Sequence, residues 1–339
     1  MRAYEIQDSF GIDQLRIADR RDPKPGRGQV LIKVHASSLN FRDLMMVQGM
    51  YNPRQPLPLI PNSDGAGEVL AVGDDVTRVK VGDRVAGIFA QGWIDGPPTR
   101  EKVGKTTLGS PLDGMLTELA VLDAEGVVPI PDHLAYDEAA TLPCAGVTAW
   151  SALYRHGNLQ PGETVLVLGT GGVSMFALQF AKAAGARVVI TSSSDAKLER
   201  AREMGADCCI NYQSTPEWYK PAREFTDGVG VDQVIEVGGV GTLGMSLRSV
   251  RMGGTISLIG VLAGRDTQLD LTAALMQDVR IQGVIVGSRR SFEEMNAAIS
   301  ANDIKPIVDQ TFPFEDAASA YRLMAEGGHF GKICVHIQQ

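Results

Sequence analysis

The run Gly169-Thr170-Gly171-Gly172-Val173-Ser174 leaves a short, largely apolar segment, Thr164 to Leu168, and enters a stretch with helical spacing, Val173 to Ala184. Glycine at the first position permits a tight turn, and glycine at the third lets backbone approach a diphosphate closely. The N–H groups that open the helix have no intrahelical partner and suit an anion. A second apolar run, Ala186 to Thr191, arrives at the right distance, so a dinucleotide is the expected ligand of Gly169, Thr170, Gly171, Gly172 and Val173. Ser174 stands where a third glycine would be and adds a Cβ at a close packing point.

The same alternation continues along the chain. Apolar runs at Val231 to Val237, Thr255 to Ile259 and Arg280 to Val286 are separated by helical patterns, which implies a doubly wound parallel sheet with crossover helices. Gly185 and Gly205 are placed to end the helices that begin near Val173 and Asp195. Before these runs the chain is strand-rich, with β-type segments at Gln29 to Ala36 and Gly65 to Val72 between Pro and Gly clusters, as in an irregular β domain. After them, Phe292 to Ile299 and Glu315 to Glu326 read as helices and Lys332 to His336 as a strand that rejoins the first domain. The expected class is α/β, with one domain from 1–128 plus 291–339 and a dinucleotide-binding domain at 129–290.

At 339 residues the length suits about two domains. A hydrophobic fraction of 44% and a charged fraction of 21% describe a packed chain, and a formal charge of -8 argues against nucleic acid or an anionic membrane as partner. A small-molecule substrate is expected. Met1-Arg2-Ala3-Tyr4-Glu5 carries no apolar core of a secretory signal, and the longest apolar stretch is broken by glycines, so a cytoplasmic protein with free, buried thiols is anticipated. The four cysteines, Cys144, Cys208, Cys209 and Cys334, contain no CxxC pair. His35, His133, His156, His329 and His336 show no ligand spacing and no nearby acidic partner pattern, and read as structural.

The acid that would bind the ribose 2′-hydroxyl of NAD belongs at the end of the second strand. Thr191, Ser192 and Ser193 occupy that place, with Lys197 close by, and this pattern favours the 2′-phosphate of NADP(H).

Several motifs together resemble the medium-chain dehydrogenase/reductase superfamily over essentially the whole chain. They are Val81-Gly82-Asp83-Arg84-Val85, Leu142-Pro143-Cys144-Ala145-Gly146-Val147-Thr148-Ala149, the Gly169 turn and Gly331-Lys332. The resemblance implies a GroES-like catalytic domain built from both chain ends, a Rossmann domain between them, and an active site in the intervening cleft. It also implies a homodimer or homotetramer, with the Arg280 to Val286 segment as a pairing edge. Carried over residue by residue, its cofactor contacts add Asn40, Thr148, Tyr212, Val237, Ile259, Val286 and Lys332 to Ser192, Ser193 and Lys197.

Zinc alcohol dehydrogenases of that superfamily place a ligand cysteine where this sequence has Asn40, and a Gly-His-Glu run where it reads Asn62-Ser63-Asp64-Gly65. Only Cys144 matches a ligand position, and no cysteine lies between Ala90 and Gly114, where those enzymes hold structural zinc. A catalytic zinc needs three protein ligands and an open position, so no metal is expected. Asn40 and Asp43 resemble instead the zinc-free quinone and enoyl reductases, which implies hydride transfer from NADPH to a quinone, enone or enoyl thioester. Tyr51, in Gln48-Gly49-Met50-Tyr51, resembles the proton donor of enoyl thioester reductases; the plainer reading is that it walls the pocket. Asp43 orients backbone or Arg42 on this reading rather than moving protons. An alcohol dehydrogenase or aldehyde reductase, and a non-catalytic NADPH-binding protein, are the alternatives.

Overall fold

The computed structural model describes residues 1–262 and 271–337. Two compact units divide the chain, 1–147 with 286–339, and 148–285. Residues 129–147, read from sequence as the start of the second domain, pack with the first unit. Asn296 donates to the Pro129 carbonyl at 3.0 Å, and the Cys144 N–H donates to Asp64 at 3.0 Å.

In the first unit β1 (Arg2–Ile6) and β2 (Leu15–Asp19) form an antiparallel ribbon. β3 (Gln29–Ser38) alternates buried and half-buried residues along most of its length, the period-two pattern of a strand with one covered face. It pairs antiparallel with β4 (Asp64–Val72), which in turn pairs with β5 (Arg84–Gly87). β6 (Leu119–Asp123) lies against the first half of β3, and β7 (Val127–Pro129) extends the sheet beyond β5.

The second unit is a six-stranded parallel sheet. Its strands are β8 (Thr164–Leu168), β9 (Arg187–Ser192), β10 (Cys208–Asn211), β11 (Val231–Glu236), β12 (Val250–Leu258) and β13 (Arg280–Gly283), in the order β10-β9-β8-β11-β12-β13. Every residue of β8 is buried, as expected of a strand covered on both faces. Its core joins Leu166, Leu168, Val189, Ile210, Val234 and Ile256 to the helix residues Ala222 and Leu247 and to Trp218, which precedes the helix carrying Ala222. Helices Gly172–Ala183 and Asp195–Glu203 each run on to a glycine in the left-handed region, Gly185 and Gly205, as the sequence predicts. β13 forms one edge of the sheet, with Ile281 and Ile285 exposed near it. Among the described residues no helix is long and apolar enough to cross a membrane.

The chain then returns to the first unit through the helix Arg289–Ala301, β14 (Val308–Pro313), the helix Ala317–Glu326 and β15 (Lys332–His336). β15 pairs with the second half of β3, matching Cys334 to Ser38 and His336 to Ala36, so the two chain ends share one sheet. Tyr321 strengthens this closure. Its ring is fully buried in the first core, and its hydroxyl donates to Oδ1 of Asn62, which itself donates to the Ser37 hydroxyl at 2.9 Å. Tyr321→Phe leaves the buried Asn62 oxygen without that donor, and urea unfolding is expected to show a loss of about 1–3 kcal/mol. An unchanged stability would mean that the hydroxyl contributes nothing to joining the two ends.

Candidate active site

The glycine turn expected to bind a diphosphate forms at the carboxyl end of β8. Gly169 has φ +70°, a conformation that glycine adopts without penalty, and Gly171 is the residue before the helix Gly172–Ala183. A Cβ built on either glycine meets nothing within 4 Å, so the turn keeps an open cradle beside the N–H groups that begin the helix. Ser174, the departure from a third glycine, is absorbed locally: its buried hydroxyl donates to the Leu168 carbonyl at 2.7 Å.

The other expected cofactor residues of this unit gather at the carboxyl ends of neighbouring strands. Ser192 closes β9 and Ser193 follows it; Lys197 lies in the first turn of the helix capped by Ser194. Tyr212 follows β10, is 42% exposed, and donates its N–H to the Ser192 carbonyl at 3.0 Å. Asp195, the acid that opens the same helix, accepts from Asn211 Nδ2 at 2.8 Å. Val237 and Ile259 follow β11 and β12.

Glu236, which the sequence reading passed over, holds this edge together. Fully buried, it accepts from the N–H groups of Gly238 (2.8 Å) and Gly239 (3.0 Å), from Thr242 Oγ1 (2.6 Å) and from the Ser246 hydroxyl. The Ile259 N–H donates to its carbonyl at 2.9 Å. An acid closing an apolar strand just before Gly-Gly was the available signal. Thr148 is buried at the beginning of the second unit, whereas Val286 lies in the first.

The first unit contains a buried polar cluster around the helix Phe41–Val47. Asn40 is the cap residue, in extended conformation, and its N–H donates to Asp43 Oδ2 at 2.9 Å. Asp43 is completely buried, and its other oxygen accepts from Arg42 Nη1 (3.1 Å) and the Ser63 N–H (3.2 Å). The Asn40 amide is equally committed. Oδ1 accepts from the Lys332 ammonium at 2.6 Å, and Nδ2 faces Ser63 Oγ at 3.4 Å. Lys332 also donates to the Leu39 carbonyl. Ser63 Oγ donates to Asp64 Oδ1 at 2.7 Å, and the Cys144 N–H donates to Asp64 Oδ2.

Burial pushes the Asp64 carboxyl up to about 6, and the Asp43 charge adds to the rise; the Lys332 ammonium and hydrogen bonds from Ser63 and Asn40 oppose it. Burial, with Asp64 next in weight, also holds the Cys144 thiol well above its ordinary range, so it is a protonated thiol at neutral pH. Tyr51 is 47% exposed and is reached through the turn after the helix, where its N–H returns to the Met45 carbonyl at 3.1 Å. The structure thus brings Asn40, Asp43, Tyr51 and Lys332 into one neighbourhood of the first unit through Arg42, Ser63 and Asp64.

His336 Nδ1 lies 3.3 Å from Asp137 Oδ1, and His133 Nε2 lies 3.8 Å from Asp303 Oδ1, acids too distant along the chain to form a sequence pattern. One sequence expectation is corrected. Of the four free cysteines only Cys334 is fully buried, and the other three are partly exposed. Among the described residues, no group of three or more His, Cys, Asp or Glu is arranged to hold a metal ion.

The doubly wound unit with its open glycine turn and the β unit with its buried ionic cluster are those of a dehydrogenase/reductase-type oxidoreductase. The chain belongs to the medium-chain dehydrogenase/reductase superfamily: residues 26–132 match the alcohol dehydrogenase GroES-like domain and residues 172–301 the zinc-binding dehydrogenase family. It is 45% identical over 342 residues to a zinc-type alcohol dehydrogenase-like protein of Schizosaccharomyces pombe, covering 98% of this chain and 99% of that one. It is 32% identical over 326 residues to the acryloyl-coenzyme A reductase of Metallosphaera sedula, covering 94% and 95%. Among solved structures, an NAD-dependent alcohol dehydrogenase superposes with TM-score 0.92 at 32% identity over 100% of both chains. A mycobacterial protein in complex with NADPH superposes with TM-score 0.83 at 27% identity, covering 99% and 100%.

The raised Asp64 carboxyl has a consequence for stability. Its folded-state value lies above the unfolded one, so its contribution is fully present below about pH 4 and is lost as pH rises through about 6. Relative to Asp64→Asn, the wild type is therefore expected to lose up to about 3 kcal/mol between pH 4 and pH 7 in urea unfolding. A difference independent of pH would contradict this.

Proposed function

We propose that this oxidoreductase is an NADPH-dependent, zinc-independent reductase of activated double bonds, acting on an enone, enoyl thioester or quinone. One observation carries the reading. At the positions where zinc enzymes of the superfamily hold their metal, Asn40 and Ser63 stand in place of ligands, and the Lys332 ammonium is hydrogen-bonded to Asn40 Oδ1. A fixed ammonium repels a divalent cation, and Asn40, Ser63 and Asp64 with the single thiol of Cys144 are a poor donor set for zinc. The acryloyl-coenzyme A reductase relative supports a double-bond acceptor, while the alcohol dehydrogenase names support the alternative, an alcohol dehydrogenase or aldehyde reductase.

The open cradle at Gly169 and Gly171 fits a dinucleotide diphosphate. At the adenosine end, Ser193 is half-buried, Ser192 is buried with its hydroxyl accepting from the Ser194 N–H, Tyr212 is partly exposed, and Asp195 is engaged by Asn211; the lack of a free acid there supports a 2′-phosphate with Lys197 as its cation.

A reduced nicotinamide, held when bound by the Gly169 turn, would supply the hydride; the proton that completes the reduction goes to the carbon beside the carbonyl of an enone or enoyl thioester, and to oxygen in a quinone. Tyr51 gives that proton from its phenol and regains one from solvent, to which it is open, so each turnover takes up one proton. Asp43 fixes the Asn40 backbone and Arg42, while Lys332 and Ser63 fix the two ends of the Asn40 amide.

The test is NADPH oxidation by the purified protein with 1,4-benzoquinone, trans-2-hexenal, an enone and crotonyl-CoA. Turnover of at least one is expected, with Tyr51→Phe lowering kcat on the enal or thioester by at least about ten-fold. Oxidation of alcohols with none of these reduced would transfer the assignment to the alternative. Cofactor choice is read separately by fluorescence titration: Lys197→Ala is expected to weaken NADPH binding about ten-fold and leave NADH within about two-fold. Equal losses for both cofactors would remove Lys197 from the 2′-phosphate.

A further inference from the structure

Arg42 is not used by the chemistry above, yet its surroundings are unusual. The side chain is only 8% exposed. Nη1 is fully engaged, donating to Asp43 Oδ1 at 3.1 Å and to the Leu108 carbonyl at 2.9 Å. Nε and Nη2 are buried and have no hydrogen-bond acceptor among the described residues. Two aromatic rings take the place of those acceptors. The guanidinium carbon lies 4.8 Å from the centroid of Tyr51 and 5.5 Å from that of Phe89. Phe89 is buried, whereas Tyr51 is 47% exposed, so the cation sits between a fixed ring of the core and a ring that would otherwise be free to swing on the surface. Orphaned donors of a buried guanidinium cost stability, and a cation against a desolvated ring face recovers part of that cost.

We propose that Arg42 is a positioning residue for Tyr51: it holds the phenol by its ring face and so keeps the hydroxyl, which Arg42 does not itself touch, in place for proton delivery. The arrangement explains why the positions work together. Asp43 anchors one side of the guanidinium, the Leu108 carbonyl anchors it as well, and the helix end and following turn bring Tyr51 back over it. A tyrosine held through its ring keeps the O–H directed toward whatever binds above it, at no cost to its hydrogen-bonding capacity. The inference rests on the reading of Tyr51 as proton donor.

A double-mutant cycle tests it on the full-length protein, with Arg42→Met, Tyr51→Phe and the pair, using kcat with NADPH and trans-2-hexenal or crotonyl-CoA. Arg42→Met is expected to lower kcat about ten-fold in the wild-type background and less than about two-fold when Tyr51 is already Phe, with the NADPH KM within about two-fold throughout. Arg42→Lys, which keeps a cation for the ring but not the fork, is expected to recover part of the loss. An equal loss from Arg42→Met in both backgrounds would overturn the proposal, because a merely structural arginine acts regardless of Tyr51. The donor reading fails differently: there Tyr51→Phe alone leaves kcat unchanged. A second cycle, on urea unfolding with Arg42→Gln, which removes the cation, and Tyr51→Leu, which removes the ring, needs neither turnover nor a folded methionine variant. Its two substitutions are expected to be non-additive, and strict additivity there also rejects the contact.

Discussion

The ammonium of Lys332 is the interaction on which the first unit's buried polar cluster depends. It is buried at the start of the last strand and spends its donors on the Leu39 carbonyl and Asn40 Oδ1, at the point where β3 ends and the helix Phe41–Val47 begins. An isolated buried charge would be costly. Here the ammonium acts on the Asp64 carboxyl, with the Asn40 amide and the Ser63 hydroxyl hydrogen-bonded between them, and Arg42, the second cation, is paired with Asp43. Two cations and two acids are thus embedded among uncharged groups. Removal of Lys332 or Asp43 leaves a buried partner of opposite charge uncompensated, the circumstance in which such clusters become strongly destabilising.

The cluster is assembled by ordinary local rules. Asn40 caps a helix, Asp43 three residues later closes back on its N–H, and the left-handed backbone at Asn62 turns Ser63 and Asp64 inward before β4. In the second unit Glu236 does comparable work with backbone N–H groups and hydroxyls in place of cations, and holds the edge of the sheet beside the phosphate turn. One unit therefore organises an open glycine turn, and the other a set of fixed charges with a half-exposed tyrosine.

The parts legible in the sequence were those set by neighbours along the chain. The apolar runs of β8, β9 and β11, the turn at Gly169, the glycines that end two helices and the strand at Lys332–His336 follow from periodicity and from the special backbone freedom of glycine. What was not legible depends on contacts between distant residues. Lys332 and Asn40 are 292 positions apart, Tyr321 and Asn62 are 259, and His336 and Asp137 are 199. Motif comparison had set Lys332 beside the cofactor; it gave no sign that the ammonium was engaged by Leu39 and Asn40. Arg42 was read only as a partner for Asp43, because a stacking contact with Tyr51 leaves no pattern in composition or spacing. The division at residue 147 also escaped the sequence, since the helical segment that follows Pro131 carries no mark of which core it packs against.

The central claim is that fixed internal charges occupy the position where related enzymes use a metal. Metal content measured by inductively coupled plasma mass spectrometry, on protein supplied with zinc and then desalted, with turnover followed before and after chelation, tests it most directly. The account predicts zinc well below one per chain and turnover indifferent to chelator. One zinc per chain, lost together with activity on chelation and restored with it on zinc addition, would contradict it.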